Sequence, residues 1–224
     1  QADELTRALA YLEQGLAMLA DTGPHQVVVR GDRHRTILVS VAMQLGRYDI
    51  AEANLEEMEE PTRTLDSRFA ALRTRAQLAT VRANPETAHQ FLNTAASLAE
   101  RIKGSFPTAL IAGDRVNLLA TQGRLFDAMA LADHLLLRTM RPVRGDHGAW
   151  AATITASVAF TISRHAGDQG RGFDAERFLV AGIAAVERAT SAMLTAHMQL
   201  ALARAWRLRG NFEPAEASLR RSAT

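Results

Sequence analysis

The sequence contains no cysteine, which excludes a disulfide framework and a cysteine-ligated zinc site. The same absence agrees with a reducing compartment, and we expect a cytoplasmic location. No apolar run approaches the roughly 18–20 residues that a membrane span requires, so we expect no membrane association. Only 5% of the residues are aromatic, too few for the stacking surfaces on which RNA-binding repeats rely.

Lysine is also nearly absent, since Lys103 is the single lysine in the chain. The net charge is only +2, whereas a nucleic-acid-binding domain carries a concentrated positive face. We therefore expect no direct nucleic-acid binding by this segment. The residues that are abundant are alanine, leucine and arginine, and only 6 are proline. This composition predicts a helical chain, and the 47% hydrophobic content is enough to bury a core.

A short pattern recurs along the chain: an alanine, a leucine or alanine four residues on, and a small or apolar residue three further. Offsets of four and seven place these residues on one helical face, so each set predicts a packing stripe. The copies are Ala8/Leu12/Gly15, Ala51/Leu55/Met58, Ala88/Leu92/Ala95, Ala128/Ala132/Leu135, Ala175/Leu179/Gly182 and Ala215/Leu219/Ser222.

A turn precedes most of these key alanines, and an amphipathic stretch precedes each turn. Glycine turns are expected at Gly46-Arg47-Tyr48, Gly123-Arg124-Leu125, Gly172-Phe173 and Gly210-Asn211-Phe212, and Asn84-Pro85 replaces the glycine in the third copy. The upstream stretches cover residues 36–45, 67–82, 108–122, 149–164 and 192–209. Each repeat is thus a first helix (helix A), a tight turn and a second helix (helix B).

Two copies carry a family resemblance, through Leu202, Ala203, Trp206, Gly210, Phe212, Ala215 and Leu219 and through Leu38, Ala42, Gly46, Tyr48, Ala51 and Leu55. This pattern resembles the tetratricopeptide repeat. The key alanines are 37 to 47 residues apart, against about 34 in the standard motif. The long period resembles the sensor solenoids of large bacterial transcriptional activators of the maltose-regulator kind.

The resemblance implies an all-α fold: a right-handed superhelix (α-solenoid) of antiparallel helix pairs with about eleven helices. We expect a single tetratricopeptide-like solenoid over residues 1–224. Residues 3–20 read as a helix B without a helix A, and the chain stops just past the last stripe. Because solenoids carry polar capping helices at their ends, we expect this segment to be a fragment of a longer chain.

The resemblance also implies a binding groove, because the A helices of such solenoids line the concave face. Alignment on the key alanine places these residues in the groove: Arg33, Thr36, Ser40, Arg73, Gln77, Asn117, Arg204 and Arg207. Asn117 falls where groove asparagines of the family hold a peptide backbone. The lysines of the family's carboxylate-clamp subtype are absent, which argues against chaperone-tail binding of that kind. Several arginines favour an anionic or carboxylate-bearing ligand.

Other motifs have a structural interpretation. The seven histidines include no HExxH motif and no i,i+4 pair, so we expect no metal and no cofactor. Arg-Gly-Asp at residues 30–32 and 144–146 predicts a turn and a helix cap before a helix A, rather than adhesion. The acidic run over residues 52–60 is expected to be a solvated helix face, and the glycine-rich residues 167–172 a long loop. Trp206 is expected to be buried near Phe212.

We therefore predict a non-catalytic recognition module that binds a peptide, a protein partner or a second copy of itself through the groove. It would be the regulatory or scaffold part of a larger bacterial protein. The alternative is a small-molecule effector-sensing domain of a transcriptional regulator, for which Gly113 in a helix A would leave room. The sequence lacks a nucleophile, metal or phosphate-binding motif, so we do not expect an enzyme.

Overall fold

The structure is a computed structural model, and it describes residues 2–20, 24–61, 63–102, 105–139, 146–186 and 210–222, together with residues 199, 203, 206 and 207. These residues form helices joined by short turns, and none of them lies in a β-strand. The helices are α1 (Ala2–Ala20), α2 (Pro24–Gln44), α3 (Tyr48–Glu59), α4 (Leu65–Val81), α5 (Pro85–Ile102), α6 (Ser105–Thr121), α7 (Leu125–Thr139), α8 (Asp146–Asp168), α9 (Gly172–Val186) and α10 (Phe212–Ser222).

The helices belong to two compact units, residues 1–103 (unit 1) and residues 104–224 (unit 2). In unit 1, each helix from α1 to α4 packs against the next, and α2 also packs against α4. In unit 2, each helix from α6 to α8 packs against the next, and α6 also packs against α8. The prediction of an all-α fold built from adjacent helix pairs is confirmed. The right-handed superhelix and the single domain over residues 1–224 stay predictions.

One turn geometry joins helix A to helix B, and α2–α3 shows it clearly. Gly46 has a φ of +72°, the left-handed conformation that glycine adopts without a steric cost. Its N–H donates to the Met43 carbonyl at 3.1 Å, and the Arg47 N–H donates to the Ala42 carbonyl at 2.8 Å. This pair of bonds is a Schellman motif. The Arg47 carbonyl then accepts the Ala51 N–H at 3.2 Å, so the residue that closes α2 also begins α3.

The same turn occurs five times among the described residues. Its left-handed residues are Gly46, Ala83, Gly123, Gly170 and Gly210. Ala83 has a φ of +55° and is the non-glycine member of the set. In that turn, the Asn84 side chain accepts the Thr87 N–H at 3.2 Å and Pro85 begins α5, as the sequence predicts.

The predicted long loop over residues 167–172 is wrong. Helix α8 continues to Asp168, and the turn glycine is Gly170, not the expected Gly172. The extra length of that repeat lies in α8, which has 23 residues, whereas α4 and α6 have 17 each. The wrong assignment came from treating a glycine-rich stretch as irregular, although two of its glycines are helical.

The first Arg-Gly-Asp sequence is also misassigned. Helix α2 begins at Pro24, so Gly31 and Asp32 lie inside it and neither turns nor caps the chain. A Cβ on Gly31 would lie 2.9 Å from the Arg35 Nη1 atom, so the glycine makes room for that guanidinium. The second copy ends at Asp146, the first residue of α8, and its other two residues lie outside the described part. The helix A expected over residues 192–209 is described only at residues 199, 203, 206 and 207, all helical.

Four of the six key alanines lie in the core, whereas Ala8 and Ala175 are partly buried. Ala51, Ala88 and Ala128 are fully buried, and Ala215 is 2% exposed. Around Ala51, unit 1 buries Leu38, Leu55 and Met58, and unit 2 forms a larger apolar cluster. The buried members of that cluster are Val116, Ala120, Leu125, Ala128, Met129, Ala132, Leu135, Leu136, Ile154, Val158, Ala159, Ile162, Ala166 and Phe178. Among the described helices, none has the length and the hydropathy that crossing a bilayer would require.

Candidate functional site

The predicted binding positions of the second repeat lie on α2. Thr36 and Ser40 are exposed and one turn apart, and the Thr36 hydroxyl donates to the Asp32 carbonyl at 2.9 Å. Arg33 lies in the same helix, but its side chain is outside the described part of the structure. The Thr36 hydroxyl is thus bonded to its own helix backbone, a common arrangement for threonine inside a helix.

The predicted positions of the third repeat lie on α4, which packs against α2 in unit 1. Arg73 and Gln77 are one turn apart and partly buried. The Arg73 guanidinium lies 5.8 Å from the centroid of the Phe69 ring, a cation–π distance. Phe69, one turn earlier on the same helix, therefore helps to hold the Arg73 guanidinium in place.

The other predicted positions belong to unit 2. Asn117 is partly buried on α6, Arg207 is exposed on a helical residue, and Arg204 lies outside the described residues. The structure brings the α2 and α4 positions into one unit and Asn117 and Arg207 into the other. A single groove lined by all eight residues stays a prediction.

Gly113, on α6, does not leave room for an effector. A Cβ at this position would lie 3.4 Å from Val158 Cγ2 and 3.5 Å from Ile154 Cγ2, both on α8. These are ordinary van der Waals distances, so the space beside Gly113 takes a methyl group and α8 closes it beyond that point. The expectation of a cavity at Gly113 is wrong.

The acidic run over residues 52–60 is exposed at Glu56, Glu57 and Glu60, as expected for a solvated helix face, but it also makes specific contacts. Four of its carboxylates form ion pairs with arginines of other elements: Glu52 with Arg82, Glu57 with Arg35 and Arg63, Glu59 with Arg75, and Glu60 with Arg63. The sequence reading missed these pairs because the arginines are up to 30 residues away. The cue in the sequence is the charge imbalance of the first 60 residues, which requires positive partners elsewhere.

The most buried of the ion pairs joins α2 to the segment before α4. Arg63 Nη1 lies 3.3 Å from Asp32 Oδ1, and the two side chains are 11% and 10% exposed. The second carboxylate oxygen of Asp32 and two nitrogens of Arg35 are buried without a hydrogen-bond partner among the described residues. A buried charge without its partner is costly, so loss of Asp32, Arg35 or Arg63 should destabilise the contacts among the other two.

A cavity of about 340 Å³ lies among α3, α4 and α5. We call it the α3–α5 cavity, and its lining residues are Glu52, Arg75, Leu78, Ala79, Arg82, Asn84, Thr87 and Phe91. At 100° per residue, Arg82 lies about 180° around α4 from Arg73. The cavity is therefore on the face of α4 opposite the predicted binding positions, and the sequence analysis did not identify it.

Two guanidinium groups line this cavity, and each is held by a carboxylate and an aromatic ring. The Arg75 Nε atom donates to Glu59, and its guanidinium lies 5.9 Å from the centroid of Phe91. Arg82 Nη1 donates to Glu52 Oε1 at 2.5 Å, and its guanidinium lies 5.4 Å from the centroid of Tyr48. These contacts fix the planes of both guanidinium groups.

A second arginine pattern marks the starts of three B helices. Arg124 Nε donates to Asp127 at 2.8 Å, and Arg171 Nε donates to Asp174 at 2.7 Å. Arg47 and Asp49 form the equivalent pair in unit 1, where the hydrogen bond from Arg47 lowers the pKa of the Asp49 carboxyl below its ordinary value. These pairs fix the first turn of each helix.

Aromatic residues near these turns are exposed. The Arg171 guanidinium lies 4.2 Å from the centroid of the Phe126 ring, and Phe126 and Phe173 are 68% and 82% exposed. Trp206, which was expected to be buried near Phe212, is partly buried, and Phe212 is 70% exposed. The described residues include no group of three histidine or carboxylate side chains that could hold a metal ion.

Comparison with known proteins gives a likeness in fold. The crystal structure of BtubC (BKLC) from P. vanneervenii is similar to this chain with a TM-score of 0.58 and 16% sequence identity. The match covers 98% of this chain and 89% of that chain. No protein-family model matches the sequence, and no curated protein matches it significantly. The likeness supports the all-helical fold.

Proposed function

We propose that this chain is a non-catalytic recognition module that binds a peptide or protein partner through the A-helix surface. The observation that carries the proposal is the turn that occurs five times with the same hydrogen bonds. A fixed turn presents each A helix in the same way, and repeated presentation of a helix face is how solenoids build extended binding surfaces. The module would be the regulatory or scaffold part of a larger bacterial protein.

The tetratricopeptide assignment is part of this proposal. The turn glycine precedes the key alanine by five residues in four repeats, and Ala83 takes that place in the fifth. The buried key alanines allow close approach of the helices, as the resemblance implies. The maltose-regulator type rests on the long period alone.

The chemistry of the A-helix positions favours an anionic partner. Arg73 is held over Phe69, so its charge is presented with less loss of side-chain entropy on binding. Arg33, Arg204 and Arg207 add positive charge at equivalent positions of other repeats, and Gln77 and Asn117 add hydrogen-bonding groups. Arginine binds carboxylates through a planar pair of donors, which favours an acidic peptide segment.

The test is a fluorescence-anisotropy titration of a labelled acidic peptide against the wild-type chain and the variant Arg73→Ala/Arg204→Ala. We expect binding to weaken at least tenfold. Because Arg73 is only partly buried, its truncation should cost about 1 kcal/mol and lower the melting temperature by no more than a few degrees. A labelled peptide of the same length with amides in place of the carboxylates is the matched control. Unchanged affinity with a melting temperature lowered by several degrees would show that these arginines are structural.

A small-molecule effector-sensing domain of a transcriptional regulator remains the second candidate. The observation that favours it is the α3–α5 cavity, whose volume of about 340 Å³ is near the lower end of small-ligand sites. An effector would raise the melting temperature by binding to the folded state. Thermal shift against a panel of small organic acids, amines and sugars distinguishes the two candidates.

A further inference from the structure

We infer that the α3–α5 cavity binds a carboxylate group carried on a small apolar body, with Arg82 and Arg75 as the recognising groups. The inference goes beyond partner binding by the A-helix surface, because the cavity is on the face of α4 opposite Arg73 and Gln77, and it names a ligand chemistry for the cavity that the second candidate function uses. The inference about the cavity can therefore be wrong even if the A-helix surface binds a partner.

The charged groups of the cavity lining favour an anionic ligand. The lining contains two arginines and a single carboxylate, that of Glu52. A guanidinium group has five N–H donors. Among the described residues, Arg75 uses its Nε atom and Arg82 uses its Nη1 atom to bind a carboxylate, so donors of both groups are open to a ligand. The Arg82 side chain is 46% exposed, so a ligand in the cavity can reach it.

Glu52 already shows that Arg82 binds a carboxylate in this cavity. The Glu52 carboxylate lines the cavity and binds Arg82 at 2.5 Å. It is 37% exposed, so it can turn toward water when another carboxylate takes its place. Glu52 thus acts as an internal competitor for the site.

Part of the cavity lining is apolar. Leu78 and Ala79 are 3% and 7% exposed and form an apolar wall, and the Phe91 ring forms another side. Because the volume is about 340 Å³, the cavity fits a body the size of one or two side chains. A free aromatic or aliphatic acid and an acidic side chain beside an apolar residue share this chemistry.

The test is a ligand-observed NMR titration with 3-phenylpropionate, and 3-phenylpropanol is the uncharged control. We expect saturable binding of the acid and at least tenfold weaker binding of the alcohol. Arg82→Gln should weaken binding of the acid about tenfold, and Arg82→Lys, which keeps the charge but loses the planar donors, should also weaken it. Arg101→Gln removes the same charge from an exposed position on α5 and should leave the affinity unchanged.

A second pair of variants tests whether Glu52 competes with the ligand for Arg82. Glu52→Gln should strengthen binding of 3-phenylpropionate several-fold because Arg82 is released. Glu56→Gln, an equal change of charge at an exposed residue of the same helix, should have no such effect. If the two variants behave alike, long-range charge alone explains the result and the inference is wrong. Far-UV circular dichroism melts establish that each variant is folded.

The source of the ligand is decided by a second probe, an acetylated glutamyl-phenylalanine amide. Tighter binding of this peptide than of 3-phenylpropionate assigns the cavity to an acidic segment of a protein, and the reverse order assigns it to a free small acid. No saturable binding of either probe, or equal loss in Arg82→Gln and Arg101→Gln, overturns the inference. If Arg73→Gln abolishes binding of an acidic peptide and Arg82→Gln does not, the cavity is not the site and the proposed function stands.

Discussion

The two units use the same turn but hold their helices together differently. In unit 1, arginines bind carboxylates across helices, and the Asp32–Arg63 pair is almost fully buried. In unit 2, a continuous apolar cluster reaches from α6 to α9, and the Arg177–Asp133 pair between α7 and α9 is about 40% exposed. Repeats that share one turn geometry can therefore hold their helices together either by ion pairs or by apolar contacts.

This difference predicts which kind of substitution destabilises each unit most. An apolar contact loses stability in proportion to the area and cavity that a substitution creates. A buried ion pair loses stability when one partner is removed, because the other charge is left without compensation. We therefore expect unit 2 to respond most to truncation of large side chains and unit 1 to neutralisation of charges.

The largest expected effect is in unit 2. Phe178 is 1% exposed and packs in the apolar cluster, so Phe178→Ala should lower the free energy of unfolding by about 4 kcal/mol. Both tryptophans, Trp150 and Trp206, belong to residues 104–224, so urea unfolding followed by tryptophan fluorescence reports on this unit. Phe173→Ala, which truncates a ring that is 82% exposed, is the control and should change little. Equal effects of the two variants would contradict the assigned core.

The next effect is in unit 1. Asp32→Asn keeps the shape of the side chain but leaves Arg63 buried without its close carboxylate, and should cost about 3 kcal/mol. Far-UV circular dichroism is the measurement because this unit has no tryptophan. Glu216→Gln, in a pair whose side chains are 79% and 65% exposed, should cost less than about 1 kcal/mol. If Asp32→Asn leaves the free energy of unfolding unchanged, the proposed contrast between the units is wrong.

A smaller effect of opposite sign is expected in two equivalent turns. Ala83 adopts a left-handed φ of +55°, so Ala83→Gly should stabilise the chain by about 1 kcal/mol. Gly123→Ala should destabilise it by a similar amount, because a Cβ there meets nothing within 4 Å and only backbone strain is added. Urea midpoints of both variants test this. Two shifts of the same sign would show that the turns are not equivalent.

The smallest effect is a pH dependence in unit 2. Burial, aided by Arg164, lowers the pKa of His165 below its ordinary value, while Asp168 opposes the shift. The unfolded chain then binds a proton at a higher pH than the folded chain, so stability falls as the pH drops through about 6.5. His165→Gln should flatten this slope between pH 7.5 and 5.5 in urea titrations. His89→Gln, the same change on α5, is the control, and an equal flattening there would contradict the role of His165.

The sequence predicts the fold well because its signals are local. The spacing of alanine, leucine and a small residue follows from the helical period, and Ala51, Leu55 and Met58 are buried as expected. Glycine is informative only when its neighbours define a helix end. Gly170 was therefore assigned to a loop with Gly172, and Gly31 was assigned to a turn although it lies inside α2.

The candidate sites were less predictable, because they depend on contacts between distant residues. The Arg82–Glu52 pair joins residues 30 positions apart, and the hydropathy pattern carries no trace of it. A regular spacing was nevertheless present, since Glu52 and Glu59, like Arg75 and Arg82, are seven residues apart. Two antiparallel helices bring such rows together, but the sequence does not say which rows meet. The groove residues were placed by resemblance, and their binding role stays a prediction.

The repeated turn also limits how the chain can change its length over evolution. Its last residue closes one helix and begins the next, so an inserted residue would rotate the second helix by about 100° and carry its key alanine out of the core. Length can vary only within helices or between hairpins. The key alanines are indeed 37 to 47 residues apart, while each stays five residues from its left-handed residue. We therefore expect insertions and fusion sites in this chain to lie within helices or between repeats, and not in the turn that joins the two helices of a repeat.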